Sequence, residues 1–198
     1  MTGNAQHLSY YWAALPDPPP RAALAGSASC DVGVVGGGIA GVSAALHLAQ
    51  RGFRVTVLEA ERVGWGASGR SGAQALFGVA AGQEKLNRLI GTTDARRVWD
   101  MSVEALALMR ELIAAHSIDC DFVPGQLHVA IKPRQWDELR NWHDELHRDF
   151  GYTSVSLVDA AQTRALVDSA RYIGGMHDTN SAHLQPLSYL RGLASAAE

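Results

Sequence analysis

Cysteine is scarce. Cys30 and Cys120 are the only two in 198 residues, far apart and in no metal-binding spacing. That predicts neither a disulfide framework nor a cysteine-ligated metal, and a reducing, cytoplasmic setting is the expectation. An excess of basic charge is also missing: the net charge is −3, so electrostatics gives no reason to expect a nucleic-acid partner. No uninterrupted apolar run reaches the roughly 18 residues a membrane helix requires. The opening residues lack the basic start and apolar core of a secretory signal. Internal repeats are absent. The one biased tract is "PDPPP", ending at Pro20, which is too stiff for a helix interior or a central strand.

What the chain does have is enough apolar content, 47%, for a real core in one domain or two small ones. Residues 1–30 read as an N-terminal arm. Asp31 to Val35 is a short apolar run suited to a buried parallel strand. From Ile39 to Gln50 the period becomes helical, with Val42, Ala45, Leu46 and Ala49 on one face and Gly52 as the stop. Arg54 to Glu59 is a second strand, its buried surface expected from Val55, Val57 and Leu58. This is one strand–helix–strand crossover of the length a parallel pair needs.

Beyond Gln74 the organisation changes. Thr92 or Thr93 can cap a helix through Ala115, with Val98, Met101, Ala105, Leu108 and Leu112 as its expected stripe. A strand is predicted over Gln126 to Ile131, and Pro133 is placed to open a helix to about Phe150. Val155 to Val158 reads as a strand. Asp159 with Gln162 resembles a capping box for a short helix to Val167. Another strand is expected over Tyr172 to His177, then a loop "DTNSA", then a helix opened by Pro186 that runs to the chain end.

Two glycine-rich loops carry the chemistry. In "GGGIAG", Gly36 permits the tight turn out of the strand, Gly38 lets a pyrophosphate approach the backbone, and Gly41 lets the helix pack on the strand. The helix N-terminus offers N–H groups and a positive dipole end to phosphates. Glu59 lies 23 residues beyond Gly36, where an acid can accept from both hydroxyls of an adenosine ribose. A carboxylate there repels a phosphorylated ribose, although Arg62 is close enough in sequence to hold one. The motif alone is weak; strand before, helix after and acid in place give it its context. The second loop, "GWGASGRSGAQ", is not needed by a plain nicotinamide unit, whose second strand leads promptly to another crossover. Its many backbone N–H groups and one fixed cation, Arg70, suit a second contact along a long anionic dinucleotide. A flexible linker is the plainer alternative, and Trp65 and Arg70 inside the run speak against it.

At these residues the chain resembles the FAD-dependent oxidoreductases of the D-amino acid oxidase type (the DAO family), and within them the gamma-glutamylputrescine oxidase group. The resemblance rests on "SYYWA", "DVGVVGGGIAG", "VTVLEAERVGWGASGRSGAQ", "IDCDFVPGQLHVA" and "HLQPLSYLRGLASAA", in that order along the chain. It implies an α/β fold: a Rossmann-like FAD-binding domain of the glutathione-reductase type, with the start of an α+β substrate domain. Residues 31–92 would open the FAD domain, 93–180 would be inserted elements partly of the substrate domain, and 181–198 would return to the FAD domain. It implies that Gly36, Gly38, Ala40 and Gly41 meet the pyrophosphate, and Glu59 and Ala60 the adenosine side. Ala67, Ser68, Arg70, Ser71 and Gly72 would line the pyrophosphate-to-flavin side. The implied reaction is oxidation of a C–N bond of a small amine or amino acid. Hydride passes to the flavin, the imine is hydrolysed, and molecular oxygen reoxidises the cofactor. Two letters depart from the family's usual "GRNGGQ": Ser71 stands for an asparagine that tolerates left-handed backbone, and Ala73 for a glycine. Family members are considerably longer, so the chain is expected to be an incomplete, N-terminal portion, inactive alone.

Other constellations are read as structural. His143 and His147 have the i, i+4 spacing of a zinc pair, but no third ligand is evident and a solvated face is expected. Trp136, Leu139 and Trp142 are expected to pack, Cys120 to be a buried thiol, and His177 and His183 to be structural. No metal and no catalytic acid–base dyad are expected. The competing readings are an NAD-dependent dehydrogenase and a non-catalytic remnant.

Overall fold

A computed structural model gives the fold and describes residues 9–198; the first eight residues of the expected arm lie outside the described residues. In chain order the elements are α1 (Tyr10–Ala13), β1 (Val32–Val35), α2 (Ile39–Gln50), β2 (Val55–Leu58), a 3₁₀ turn (Ala67–Arg70), β3 (Gln74–Ala75), α3 (Gln83–Ala115), β4 (Val123–Ala130), α4 (Pro133–Phe150), β5 (Val155–Asp159), α5 (Ala160–Leu166), β6 (Gly174–His183) and α6 (Pro186–Ala196). They form two compact units. The first comprises Met1–Gln74, Ala107–Phe122 and Leu184–Glu198; the second comprises Ala75–Leu106 and Val123–His183.

In the first unit β1 and β2 pair in parallel, from Val32 opposite Val55 to Val35 opposite Leu58, with α2 as the crossover. Val42, Ala45 and Leu46 of α2 are buried as the period requires, but Ala49 is exposed, so the apolar stripe stops a turn short of the expected one. Leu58 is also more exposed than its place in the strand pattern suggested, at 42%. Gly52 closes the helix in the left-handed region, φ 88°. α6 supplies the other half of this core. Pro186 opens it, the Gln185 side chain caps it by accepting from the Ser188 amide at 2.9 Å, and Leu187, Leu190 and Leu193 are all but fully buried. Each such leucine contributes about 1.5–3 kcal/mol. The same helix buries Tyr189, and that desolvation pushes its phenol up to about 12. Cys120 is buried as expected, and burial, with Asp119 and Asp121 nearby, pushes its thiol up.

In the second unit β6 is the central strand of a four-stranded sheet that also holds β3, and two of its partners run antiparallel to it. It pairs with β4 from Val123 opposite His183 to Ala130 opposite Gly174, and with β5 from Val155 opposite Asp178 to Asp159 opposite Gly174. The core is aromatic: Trp99, Leu146, Tyr152, Val155 and Met176 are buried, with Phe77, Trp142 and Phe150 packed against them. α4 begins at Pro133 and ends at Phe150, as the sequence predicts, with Gly151 left-handed behind it. The predicted capping box is present: Asp159 Oδ1 accepts from the Gln162 amide at 2.8 Å and Gln162 Oε1 accepts from the Asp159 amide at 2.9 Å.

Two expectations are corrected here. The stretch α3 is two helices joined at Gly91, whose φ of 79° and ψ of 161° are not helical. The helix over 92–115 starts where Thr92 or Thr93 was expected, and an unforeseen helix over 83–90 precedes it. The correction concerns the buried stripe, which runs Ala95, Trp99, Leu106, Leu112. Met101 is 57% exposed, Leu108 is 37% exposed and Ala105 is exposed as well. The ring of Trp99, the largest apolar group on the helix, sets the buried face; the expected stripe had left it out. Second, "DTNSA" is no loop between elements. β6 continues through it, with an irregularity where Pro124 and Gln126 of β4 oppose Ala182 and Asp178. The reason is the fully buried Asp178, whose carboxylate accepts from Tyr152 Oη, at 3.0 Å to each oxygen, from the Asn180 and Ser181 amides at 2.9 and 3.1 Å, and from Ser181 Oγ. Donors on every side make an interior position tolerable for a carboxylate. His177 and His183 therefore lie in a strand.

The raised phenol of Tyr189 carries a pH dependence. Folded protein favours the neutral phenol, so its contribution is fully present below about pH 10 and is lost as pH rises through about 12. Denaturant midpoints measured across that range should fall, and Tyr189→Phe should flatten the decline.

Candidate functional site

β1 ends at Val35, and the parallel pairing runs one residue further: the Gly36 amide donates to the Leu58 carbonyl at 2.8 Å. Gly36 then turns at φ 104°, a region other residues avoid. A Cβ at Gly41 would sit 2.1 Å from the Gly36 carbonyl oxygen and 3.2 Å from Val34 Cγ1, so the first turn of α2 touches the strand end only because residue 41 has no side chain. Gly38 is the N-cap of α2, offers no side-chain cap, and no acidic residue follows in the first turn. The positive end of the helix is thus not neutralised by its own sequence.

Glu59, directly after β2, is half-buried against this turn. Its Oε2 accepts from the Gly37 amide at 2.6 Å and its Oε1 from the Glu61 amide at 3.0 Å. Each oxygen keeps a further lone pair, so the carboxylate can still accept from a diol. Arg62, considered above as a phosphate holder, is engaged elsewhere: it pairs with Asp17 at 3.4 Å and lies over the Trp12 ring at 5.6 Å.

The second loop is tied to the first at two points. The Gly64 amide donates to the Gly37 carbonyl at 3.0 Å, and Ser68 Oγ, in the 3₁₀ turn, accepts from the Ile39 amide at 3.0 Å. The Ser68 hydroxyl proton remains available for an anion. Arg70 Nε donates to the Trp65 carbonyl at 3.0 Å, which fixes the guanidinium at an exposed position. Ala40, Ala60, Ala67, Ser71 and Gly72 are exposed. Gly36, Gly38, Gly41, Glu59 and Ser68 are therefore brought together through shared backbone. For the five exposed residues the structure gives position without a bond that binds them into the group, apart from the weak contact of Ser71 Oγ with the Ala73 amide at 3.4 Å.

Sequence reasoning missed Gly37. It looked like the middle letter of a run, yet its amide holds Glu59, its carbonyl holds Gly64, and a Cβ there would meet Glu59 Oε2 at 3.2 Å. The available signal was that the position between Gly36 and Gly38 is itself glycine. The two altered letters also separate. Ser71 is extended (φ −61°, ψ 167°) and needs no left-handed tolerance, whereas Ala73 is left-handed at φ 64°. The paired histidines are otherwise occupied. Their rings lie 4.2 Å apart, His143 Nδ1 meets Asp144 and His147 Nε2 meets the Val155 carbonyl at 3.1 Å. Among the described residues no group of three or more His, Cys, Asp or Glu is placed to hold a metal ion, and no helix is long and apolar enough to cross a membrane.

A family model described as FAD dependent oxidoreductase matches residues 31–198. The chain is 40% identical over 192 residues to the gamma-glutamylputrescine oxidoreductase of Escherichia coli, which covers 96% of this chain and 45% of the relative. It is 43% identical over 166 residues to the probable oxidoreductase OrdL of Haemophilus influenzae, covering 84% of this chain and 38% of the relative. The chain thus spans less than half the length of these curated relatives. Among solved structures, the L-amino acid deaminase of Proteus myxofaciens superposes with a TM-score of 0.72 at 20% identity, over 92% of this chain and 39% of that one. A glycine oxidase of Geobacillus kaustophilus gives 0.62 at 22% identity, over 85% and 44%. Those two likenesses establish the fold.

The strain at residue 73 is measurable. Left-handed backbone costs a residue with a Cβ roughly 1–2 kcal/mol, partly offset by the extra freedom glycine loses on folding. Ala73→Gly should therefore raise stability by about 1 kcal/mol in denaturant unfolding. An unchanged or lower midpoint would show that the site carries no strain.

Proposed function

The chain belongs to the FAD dependent oxidoreductase family, and from that premise we propose that the protein oxidises the C–N bond of an amine or amino acid of the gamma-glutamylputrescine kind. The observation that carries the cofactor side is the joining of two glycine loops into one cradle through Glu59, Gly37 and Ser68. The substrate class is supported by the 40% identity to the Escherichia coli enzyme over nearly the whole chain. Residues 31–92 and 181–198 are assigned to the FAD domain, and 93–180 to inserted elements that partly serve the substrate side.

FAD, when bound, supplies the acceptor for the hydride that leaves the carbon beside nitrogen; water hydrolyses the resulting imine, and molecular oxygen takes the electron pair to give peroxide. This chain's part is to hold and orient. Gly38 and the open N-terminus of α2 would receive the pyrophosphate, with Gly36 and Gly41 allowing turn and helix to approach each other. Ala40 sits in that first turn. Glu59 would accept from the adenosine ribose hydroxyls, with Ala60 beside it. Ser68 would donate its free hydroxyl proton to a phosphate oxygen. Arg70, with Ala67, Ser71 and Gly72 around it, would place a fixed cation and exposed backbone N–H groups along the stretch towards the flavin. None of these groups is a base for the substrate, so the reaction leans on the cofactor's own chemistry. Residues 1–198 alone are inferred to be inactive.

Full-length protein carrying this chain should purify yellow, bleach when gamma-glutamylputrescine is added without oxygen, and recover its colour with peroxide release in air. Flavin that no amine or amino acid bleaches would overturn the substrate class; tight NADH binding without flavin would overturn the cofactor assignment. Replacing the charged acceptor in Glu59→Gln should weaken FAD binding about 10-fold, the difference between a charged and a neutral hydrogen bond. Fluorescence titration of the FAD-free protein measures it.

A further inference from the structure

The arm residue Trp12 takes part in an arrangement that the cofactor cradle does not explain. Ser9 accepts from the Trp12 amide at 3.2 Å and caps the single turn of α1. The indole is then flanked by two cations: the Arg191 guanidinium carbon lies 4.6 Å from the ring centroid and that of Arg62 lies 5.6 Å away. The Trp65 ring meets it edge-on, centroids 6.1 Å apart at 82°. Further bonds fix the arm around it. Arg191 Nη1 donates to the Pro16 carbonyl at 2.9 Å, Arg62 pairs with Asp17, and Gln185 Nε2 donates to the Tyr11 carbonyl at 3.2 Å. Arg191 Nε and Nη2 are buried without a hydrogen-bond acceptor. For those two groups the π face of Trp12 is the compensation at hand.

The two residues that Trp12 reaches on the cradle side are not arbitrary. Arg62 follows Glu61, whose amide holds Glu59 Oε1, and Trp65 holds Arg70 through its carbonyl. The indole therefore braces, through Arg62 and Trp65, the stretch between Glu59 and Arg70. Two guanidinium groups near one ring repel each other, and the ring together with the Asp17 carboxylate, which pairs with Arg62, offsets that repulsion.

We propose that Trp12 is a positioning residue for FAD: its ring, held by Arg62, Arg191 and Trp65, sets the path of residues 59–70 and thereby the retention of the cofactor. This rests on the reading that Glu59 and Arg70 face FAD. The role needs an aromatic face, not bulk, so phenylalanine should serve and leucine should not.

The test compares native full-length protein with Trp12→Phe and Trp12→Leu. It measures FAD affinity by fluorescence titration and the melting temperature of the FAD-free form. Trp12→Leu should weaken FAD binding about 10-fold, the size expected for one cation–π contact, while Trp12→Phe should stay within about 3-fold of native. Combining Trp12→Leu with Arg70→Ala should weaken binding less than the product of the single effects, because both act through one loop. A Trp12→Leu protein that melts lower but holds FAD as tightly as native would overturn the proposal and leave the arm a purely structural element. Equal losses in the leucine and phenylalanine variants would overturn it as well. Native protein that takes up no FAD would remove the cofactor reading itself, and the proposal with it.

Discussion

The Glu59 carboxylate at the end of β2 accepts from the Gly37 amide in the turn that follows β1, and the cradle's shape depends on that bond. A charge-assisted bond of this kind is worth about 1.5–3 kcal/mol. Its consequence spreads through Gly37. The Gly37 carbonyl in turn accepts from the Gly64 amide, at the start of the second loop. That loop comes back through Ser68 to the Ile39 amide, one residue after the N-cap of α2. The circuit closes on itself: strand end, first turn, second loop, helix start. The second loop has a side-chain bond of its own, from Arg70 to the Trp65 carbonyl, and its two ties to the first loop set where it lies.

That circuit also distributes charge. The carboxylate is placed on the strand side. The helix end carries its partial positive charge without an acidic residue in its first turn. Arg70 is held by a carbonyl rather than by a carboxylate, so its charge is not cancelled by its anchor. Arg62, by contrast, has Asp17 and the Trp12 ring as partners. A free cation near Glu59 would favour a ribose phosphate; one already paired does not.

Much of this was legible in the sequence because it is local. The strand–helix–strand unit, the Pro133 helix and the Asp159–Gln162 box depend on residues within a turn or two of each other. The losses came where a distant partner decides. Sequence does not settle the phase of α3, because Met101 and Leu108 are as apolar as the residues that are buried, and the aromatic cluster around Trp99 selects the face. "DTNSA" reads as a loop by composition, yet the carboxylate of Asp178 finds its donors on Tyr152, 26 residues away, and on the amides of its own irregular strand. Gly37 and Trp12 were passed over because their partners, Glu59 and Arg191, cannot be paired with them by spacing.

The left-handed Ala73 shows how such distant partners can hold a conformation that the local sequence resists. Its carbonyl accepts from the Leu184 amide at 3.0 Å, so the end of the second loop is fastened to the start of α6. The next residue extends the same junction. The Gln185 amide donates to the Cys120 carbonyl at 2.7 Å, its Oε1 caps the Ser188 amide, and its Nε2 reaches the Tyr11 carbonyl of the arm. Segments at 11, 73 and 120 thus converge on two consecutive residues. A strained backbone persists only when its surroundings over-determine it, and here they do. Relaxing Ala73 would pull its carbonyl from Leu184 at the mouth of a helix whose buried leucines anchor the whole unit. What reads in sequence as a helix start, "HLQP", is physically the knot that fastens the end of the second glycine loop.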